Sequence, residues 1–129
     1  MKILLDTHVF LWWIADDPRL PERVRKVIAN KRNTLFFSAA SAWEMAIKAS
    51  LGKLSVPGDL SDFVIEQLRL NNITPLPVRL THALRIYSLP RIHRDPFDRL
   101  LVAQAQEEGL VILTNDAKIR EYPVEVVWL

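Results

Sequence analysis

The 129-residue sequence contains no cysteine, which excludes thiolate catalysis, disulfide bonding and cysteine-bound zinc together. A chain without disulfides suits a reducing compartment. Glycine is scarce. Gly52, Gly58 and Gly109 are too scattered to cradle a phosphate, so neither a P-loop nor a dinucleotide fingerprint is present. Apolar runs are short, and nothing in the sequence is long enough to span a membrane. Neither charge sign dominates: 17 basic residues against 15 acidic ones leave a net charge of +2, which supports a nucleic-acid partner only weakly. The start, Met1-Lys2-Ile3-Leu4-Leu5-Asp6, reaches an acid too soon for a signal peptide. The expectation is a cytoplasmic protein with no membrane contact, in which residues 1–129 form one domain around one core.

What is present alternates between strand and helix signals. Lys2–Leu5 reads as a buried strand ending at Asp6, followed by a short helix over Val9–Ala15 that Asp16-Asp17-Pro18 stops. Pro21–Lys31 carries Val24, Val27 and Ile28 at helical spacing. Thr34–Phe37 is β-branched and aromatic, a second strand, and Ala39–Ser50 is a helix with Gly52 near its end. Helices are expected over Asp59–Leu70, Leu80–Ser88 and Pro96–Glu108, the last with Leu100, Leu101, Ala103 and Ala105 inward and Gly109 closing it. Ile73–Leu76, Leu110–Leu113 and Val124–Trp128 complete five strands. Such alternation implies a three-layer α/β/α sandwich with a mainly parallel central sheet.

Four acids, Asp6, Glu44, Asp98 and Asp116, each sit where a strand gives way to a helix or early in the helix that follows. In a parallel sheet those places share one edge, the carboxyl end of the strands, where such folds bind ligands. Each also has a plain local reading. Ser41-x-x-Glu44 has the form of a capping box, Asp95 before Pro96 is an N-cap with Asp98 at the third helical position, and Asn115 can cap a short helix holding Asp116. For Asp6 capping is the weaker explanation, since Thr7 could serve. Four carboxylates on one edge repel one another, and a hard divalent cation with oxygen ligands relieves that.

The segments Leu4-Leu5-Asp6-Thr7, Ser41-Ala42-Trp43-Glu44, Asp95-Pro96-Phe97-Asp98-Arg99-Leu100-Leu101-Val102-Ala103-Gln104-Ala105 and Leu113-Thr114-Asn115-Asp116 resemble the successive motifs of PIN domains. In particular they are similar to VapC-type toxins of toxin–antitoxin pairs. The order and intervals match over essentially the whole chain, and the third block with its His93-Arg94 lead-in is the most specific. The resemblance implies an endoribonuclease in which Asp6, Glu44 and Asp98 hold Mg2+ or Mn2+ and Asp116 binds directly or through water. It implies a supporting hydrogen bond from Thr114, a homodimer, and inhibition by an antitoxin whose C-terminal segment occupies the groove near the acids. Asp95 is a candidate supporting acid, although N-cap duty explains it.

Around these acids, Arg91, His93 and Arg94 are candidates for contact with RNA phosphates, and Arg99 and Lys118 flank the site. His8 is expected as a packed histidine at a helix start. Core packing is expected for Trp12, Trp13, Trp43 and Trp128, with one of the adjacent pair Trp12 and Trp13 free to serve a dimer face or an antitoxin groove. Other readings fit less well. A dehalogenase-like phosphatase wants a second Asp where His8 stands, and a receiver domain wants a phosphoacceptor Asp and a downstream Lys in an arrangement not found. A non-catalytic nucleic-acid-binding or scaffold domain would not need all four acids.

Overall fold

In β1 (Lys2–Leu5), successive side chains serve opposite layers. The computed structural model, which describes residues 1–128, places Ile3 and Leu5 in one core cluster and Leu4 in the other, all fully buried. A strand apolar on both faces must be covered on both, and this one is.

Further elements follow in alternation: α1 (Thr7–Ile14), α2 (Glu22–Ala29), β2 (Thr34–Ser38), α3 (Ala39–Ser50), α4 (Leu60–Leu70), β3 (Ile73–Leu76), α5 (Leu80–Arg85), α6 (Pro96–Glu108), β4 (Val111–Leu113) and β5 (Val126–Val127). Short 3-10 turns cover Ile86–Ser88 and Ile119–Glu121. The five strands form one parallel sheet in the order β3-β2-β1-β4-β5. On one face Val9 and Phe10 of α1, Val24 and Ile28 of α2, Met45 of α3 and Val64 and Leu68 of α4 close over Ile3, Leu5, Leu35 and Phe37. On the other, Leu101, Val102 and Ala105 of α6 cover Leu4 and Ile112, with Ile119 and Tyr122 beside them. This is the three-layer α/β/α arrangement expected from the alternation of elements.

Several bounds differ from expectation for local reasons. The first helix begins at Thr7, because Asp6 caps it: its carboxylate accepts from the His8 amide at 3.4 Å. Thr7 lies inside the first turn and caps nothing. The helix expected to run to Ser88 tightens into a 3-10 turn after Arg85. The last two strands are shorter than read, and β5 retains only Val126 and Val127 of the apolar stretch. Gly109 ends α6 in the left-handed region at φ 66°, where a side chain would be strained, and lets the Leu110 amide reach the Ala105 carbonyl.

The strand order places a switch point between β1 and β4. The chain moves outward from β1 through β2 to β3, then returns to β4 on the other side of β1. The two loops leaving β1 and β4 therefore diverge, opening a crevice at the carboxyl ends of the strands. Leu5 pairs with Leu113, so Asp6 and Thr114 leave adjacent strands at the same level.

Candidate metal centre

Asp6 and Thr114 meet across that crevice. The Thr114 hydroxyl donates to Asp6 Oδ2 at 2.6 Å and accepts from the Asp116 amide at 3.0 Å. One buried side chain thus fixes the first acid and sets the start of the loop carrying the fourth. Asp6 is itself buried, and burial is the largest influence on its carboxyl, raising its pKa above the ordinary aspartate value; Glu44 adds to this by repulsion.

The second acid arrives on α3. Ser38, at the end of β2, caps that helix by accepting from the Ala40 amide. Ser41-x-x-Glu44 is therefore not a capping box, because the helix starts three residues earlier than that motif requires. Ser41 instead accepts the Thr7 hydroxyl at 2.8 Å, tying α3 to α1 and bringing Glu44 towards Asp6. The buried Glu44 carboxylate takes a 3.1 Å contact from Lys48 one turn later.

Asp98 comes from the start of α6. Asp95 is its N-cap, accepting from the Phe97 and Asp98 amides at 2.9 and 3.2 Å, which leaves Asp98 at the third position pointing to the crevice. Burial first, then repulsion from Asp95, Asp6, Asp116 and Glu44, pushes the Asp98 carboxyl up to about 8. All three other candidate acids thus act on Asp98. Asp116 lies in the loop after β4 and turns it by accepting from the Lys118 amide at 2.8 Å; the short helix that follows has Lys118 at its N-cap and no side-chain cap, so Asn115 does not cap it as expected.

Sequence reasoning placed His93 on the rim, and the structure places it inside. Its side chain is 7% exposed, with Nδ1 2.8 Å from the Tyr122 hydroxyl and Nε2 3.4 Å from Asp98 Oδ2. His93, Asp98 and Asp116 offer ligand atoms within 4.8 Å of one another; Asp6 and Glu44 stand outside this tighter group. Arg91 and Arg94 do stay exposed and line a cleft of about 510 Å3 beside His93. Arg99 is not a free cation: its guanidinium donates to the Pro90 and Ile86 carbonyls and to the Tyr122 hydroxyl, holding the segment before α6 in place. Lys118 is exposed, and His8 is exposed as well rather than packed, with Nδ1 3.9 Å from Asp6. Trp12, Trp13 and Trp128 are half-buried, whereas Trp43 is 60% exposed and meets the Phe97 ring edge-on, contrary to its expected place in the core.

Two structural supports escaped the sequence reading. Gln104, fully buried on α6, accepts from the Ser38 hydroxyl and donates to the Pro77 carbonyl at 3.2 Å, linking the ends of β2 and β3 to the helix that carries Asp98. Tyr122 had no motif to announce it. Its position only becomes meaningful once the loop after β4 folds back on His93.

The donor set fits a divalent cation. Carboxylates held at raised pKa by burial and mutual repulsion, next to a buried imidazole nitrogen without a partner, need a positive charge that no side chain in the crevice supplies in full. Thr114→Val keeps the shape at position 114 but removes the bond to Asp6 and strands the Asp116 amide. Affinity for Mn2+, followed by calorimetric titration, is expected to fall by about ten- to a hundredfold, as for other residues that orient a ligand. An unchanged affinity would detach Thr114 from the centre.

The same architecture recurs in known proteins. The sequence pattern that defines the PIN domain matches residues 3–125. The chain is 31% identical over 123 residues to Ribonuclease VapC22 of Mycobacterium tuberculosis, covering 93% of this chain and 91% of that one. It is 40% identical over 58 residues to Ribonuclease VapC16 of the same organism, covering 45% and 41% of the two chains. Among solved structures, VapBC2 from Rickettsia felis, bound to a DNA fragment from its promoter, superposes with a TM-score of 0.73 at 16% identity, covering 98% of both chains. FitAcB from Neisseria gonorrhoeae superposes with a TM-score of 0.67 at 21% identity, covering 98% of this chain and 96% of the other. The pattern match and the full-length relative agree with the fold and with the acids at its switch point: the chain belongs to the PIN domain family.

Proposed function

We propose that this chain, as a single PIN domain over residues 1–129, is a magnesium- or manganese-dependent endoribonuclease and the toxin of a toxin–antitoxin pair. The observation that carries the reading is Asp98, a half-buried carboxylate pushed up to about 8 by burial and by repulsion from Asp95, Asp6, Asp116 and Glu44 at the switch point of a parallel sheet. Such a crowd of acids is costly to stability and makes sense as a cation site. The full-length relative named as a ribonuclease supports the activity, and structural neighbours named VapBC support an antitoxin partner.

A divalent cation bound there would polarise water for attack on phosphorus and offset charge on the phosphate oxygens. The residues' own work is to hold and orient. Asp6, fixed by Thr114, and Glu44, brought to it by the Thr7–Ser41 bond, supply oxygens from β1 and α3. Asp98 and Asp116 supply them from the opposite wall. Exposed Arg91 and Arg94 stand where an RNA backbone would leave the acids, and contribute salt-dependent phosphate contacts.

Two surfaces suit the proposed protein partners. A cleft of about 510 Å3 lined by Leu11, Trp12, Leu54 and Phe63 adjoins His8 at the start of α1 and suits an apolar antitoxin segment entering towards Asp6. Leu80, Leu84 and Tyr87, at helical spacing and 66% or more exposed, suit a homodimer face. No helix among the described residues is long and apolar enough to cross a membrane.

Purified protein incubated with total RNA is expected to cleave it when Mn2+ or Mg2+ is supplied in excess over the protein, and to lose that activity in EDTA. Cleavage that persists at full rate in EDTA would overturn the reading, and so would no cleavage with either ion.

A further inference from the structure

His93 Nε2 is buried and has no hydrogen-bond partner, although it lies 3.4 Å from Asp98 Oδ2. A buried polar atom left in this way is rare and calls for an unseen partner. The ring cannot be turned away to water. It is held by Tyr122, whose hydroxyl meets Nδ1 at 2.8 Å and accepts the His93 backbone amide at 3.3 Å, with the rings 5.4 Å apart. Tyr122 is in turn fixed by Arg99, which donates to the same hydroxyl at 3.2 Å. So the imidazole is aimed at the acids by a rigid support.

We propose that His93 is a metal ligand: Nε2 binds, together with Asp98 and Asp116, a divalent cation at the α6–β4 side of the crevice. The inference rests on the reading of the acids as a cation centre and adds a nitrogen donor to it. Ligand atoms of the three side chains lie within 4.8 Å of one another, a span one ion can bridge with small adjustments. Asp6 and Glu44 then face this position from the β1 side and share Asp98 with it, dividing the centre into an all-oxygen half and a mixed half. Binding through Nε2 requires the tautomer with its proton on Nδ1, facing the Tyr122 hydroxyl; because that oxygen already accepts from the His93 amide and Arg99, one of those two bonds gives way when the ion binds, and Tyr122 becomes the outer support that a ligating imidazole ordinarily has. A nitrogen donor favours transition ions over Mg2+, which prefers oxygen ligands and retains its waters.

Pulsed electron paramagnetic resonance on protein saturated with Mn2+ reads the ligand directly. A nitrogen coupling is expected in the wild type, altered by labelling with [15N]histidine and retained in His8→Gln. His8 is the other histidine near the acids, since His82 is tied 3.0 Å from Glu108 at the far end of α6, about 15 Å along the helix from Asp98. In His93→Gln the coupling is expected to vanish and Mn2+ affinity to fall at least about tenfold, with Mg2+ affinity changing by less than about threefold. If that variant does not fold, the wild type and His8→Gln decide alone. Mn2+ binding that Asp98→Asn abolishes, but with no nitrogen coupling or with a coupling lost in His8→Gln, would overturn the role of His93 and leave the nuclease reading standing. No Mn2+ binding by the wild type would overturn both.

Discussion

Asp98→Asn is expected to reduce metal-dependent RNA cleavage by at least about a thousandfold, the scale on which losing a catalytic metal acts, and at the same time to make the metal-free protein more stable. The two effects share one cause. Asp6, Glu44 and Asp116 all act on Asp98, and Asp98 also belongs to the group it forms with His93 and Asp116, so in the proposed centre its charge serves every position an ion would take. Without an ion the same charge is a burden: burial and four neighbouring acids act against it. Asparagine keeps the size and the backbone position after the Asp95 cap while removing that burden. It forfeits the favourable placement of a carboxylate in the first turn of α6, worth about 0.3–1 kcal/mol, which is smaller than the repulsion relieved. Cleavage of a fluorescent RNA and thermal melting in EDTA test both. Activity within tenfold of the wild type, or a lower melting temperature in EDTA, would remove Asp98 from its place. A neutral site that merely caps a helix would lose stability and keep its activity.

The candidate site was legible in the sequence because a carboxylate beside a buried strand interrupts an apolar run. Asp6, Glu44, Asp98 and Asp116 each break the apolar pattern of the element they adjoin, and the parallel topology turns four such breaks into one location. The layering was legible for the same reason, since Ile3, Leu4 and Leu5 can all be buried only in a sheet covered on both faces. Local hydrogen bonds were legible only in part: the Asp95 cap was, the cap of α3 was not. Whether Ser38 or Ser41 caps α3 depends on where β2 stops, and the β-branched and aromatic signal of Thr34–Phe37 does not mark its last residue. Gln104 reads as one more polar residue on an amphipathic helix until Ser38 and the Pro77 carbonyl come to meet it. His93 looked like a rim cation because Arg91 and Arg94 flank it, and only the returning Tyr122 turns its ring inward. Contacts between side chains remote in sequence leave no periodic trace, so the acids, the Asp95 cap and, through the resemblance, Thr114 could be named from the chain, whereas Ser38, Gln104 and Tyr122 could not.

The metal-free protein is expected to lose stability as pH rises from 5 to 8, the reverse of the usual behaviour of a carboxylate-rich protein. Folded Asp98 keeps its proton up to about pH 8, whereas in the unfolded chain an aspartate gives it up near pH 4. Between those values the native state binds more protons than the unfolded state, so each rise in pH favours unfolding. Asp6, also raised, adds a contribution of the same sign. The ion-paired Asp17 has the opposite sign, but its carboxyl is lowered to about 2 and its effect falls below this window. Allowing for partial exposure of Asp98, the loss attributable to it by pH 8 is on the order of 2–4 kcal/mol, or roughly 10 °C in melting temperature for a domain of this size. Groups common to both proteins cancel in the difference between wild type and Asp98→Asn, so that difference, measured by thermal melting in EDTA, is the quantity to follow: near zero at pH 4, and widening in favour of the variant towards pH 8. Saturating Mn2+ should abolish the widening for the wild type, because an ion at about a hundred times its dissociation constant returns about 2.7 kcal/mol to the folded state and binds best where the carboxylates are ionised. A difference that stays flat with pH in EDTA would mean that Asp98 titrates as an ordinary surface acid, and the crowding from which the cation centre is inferred would then be absent.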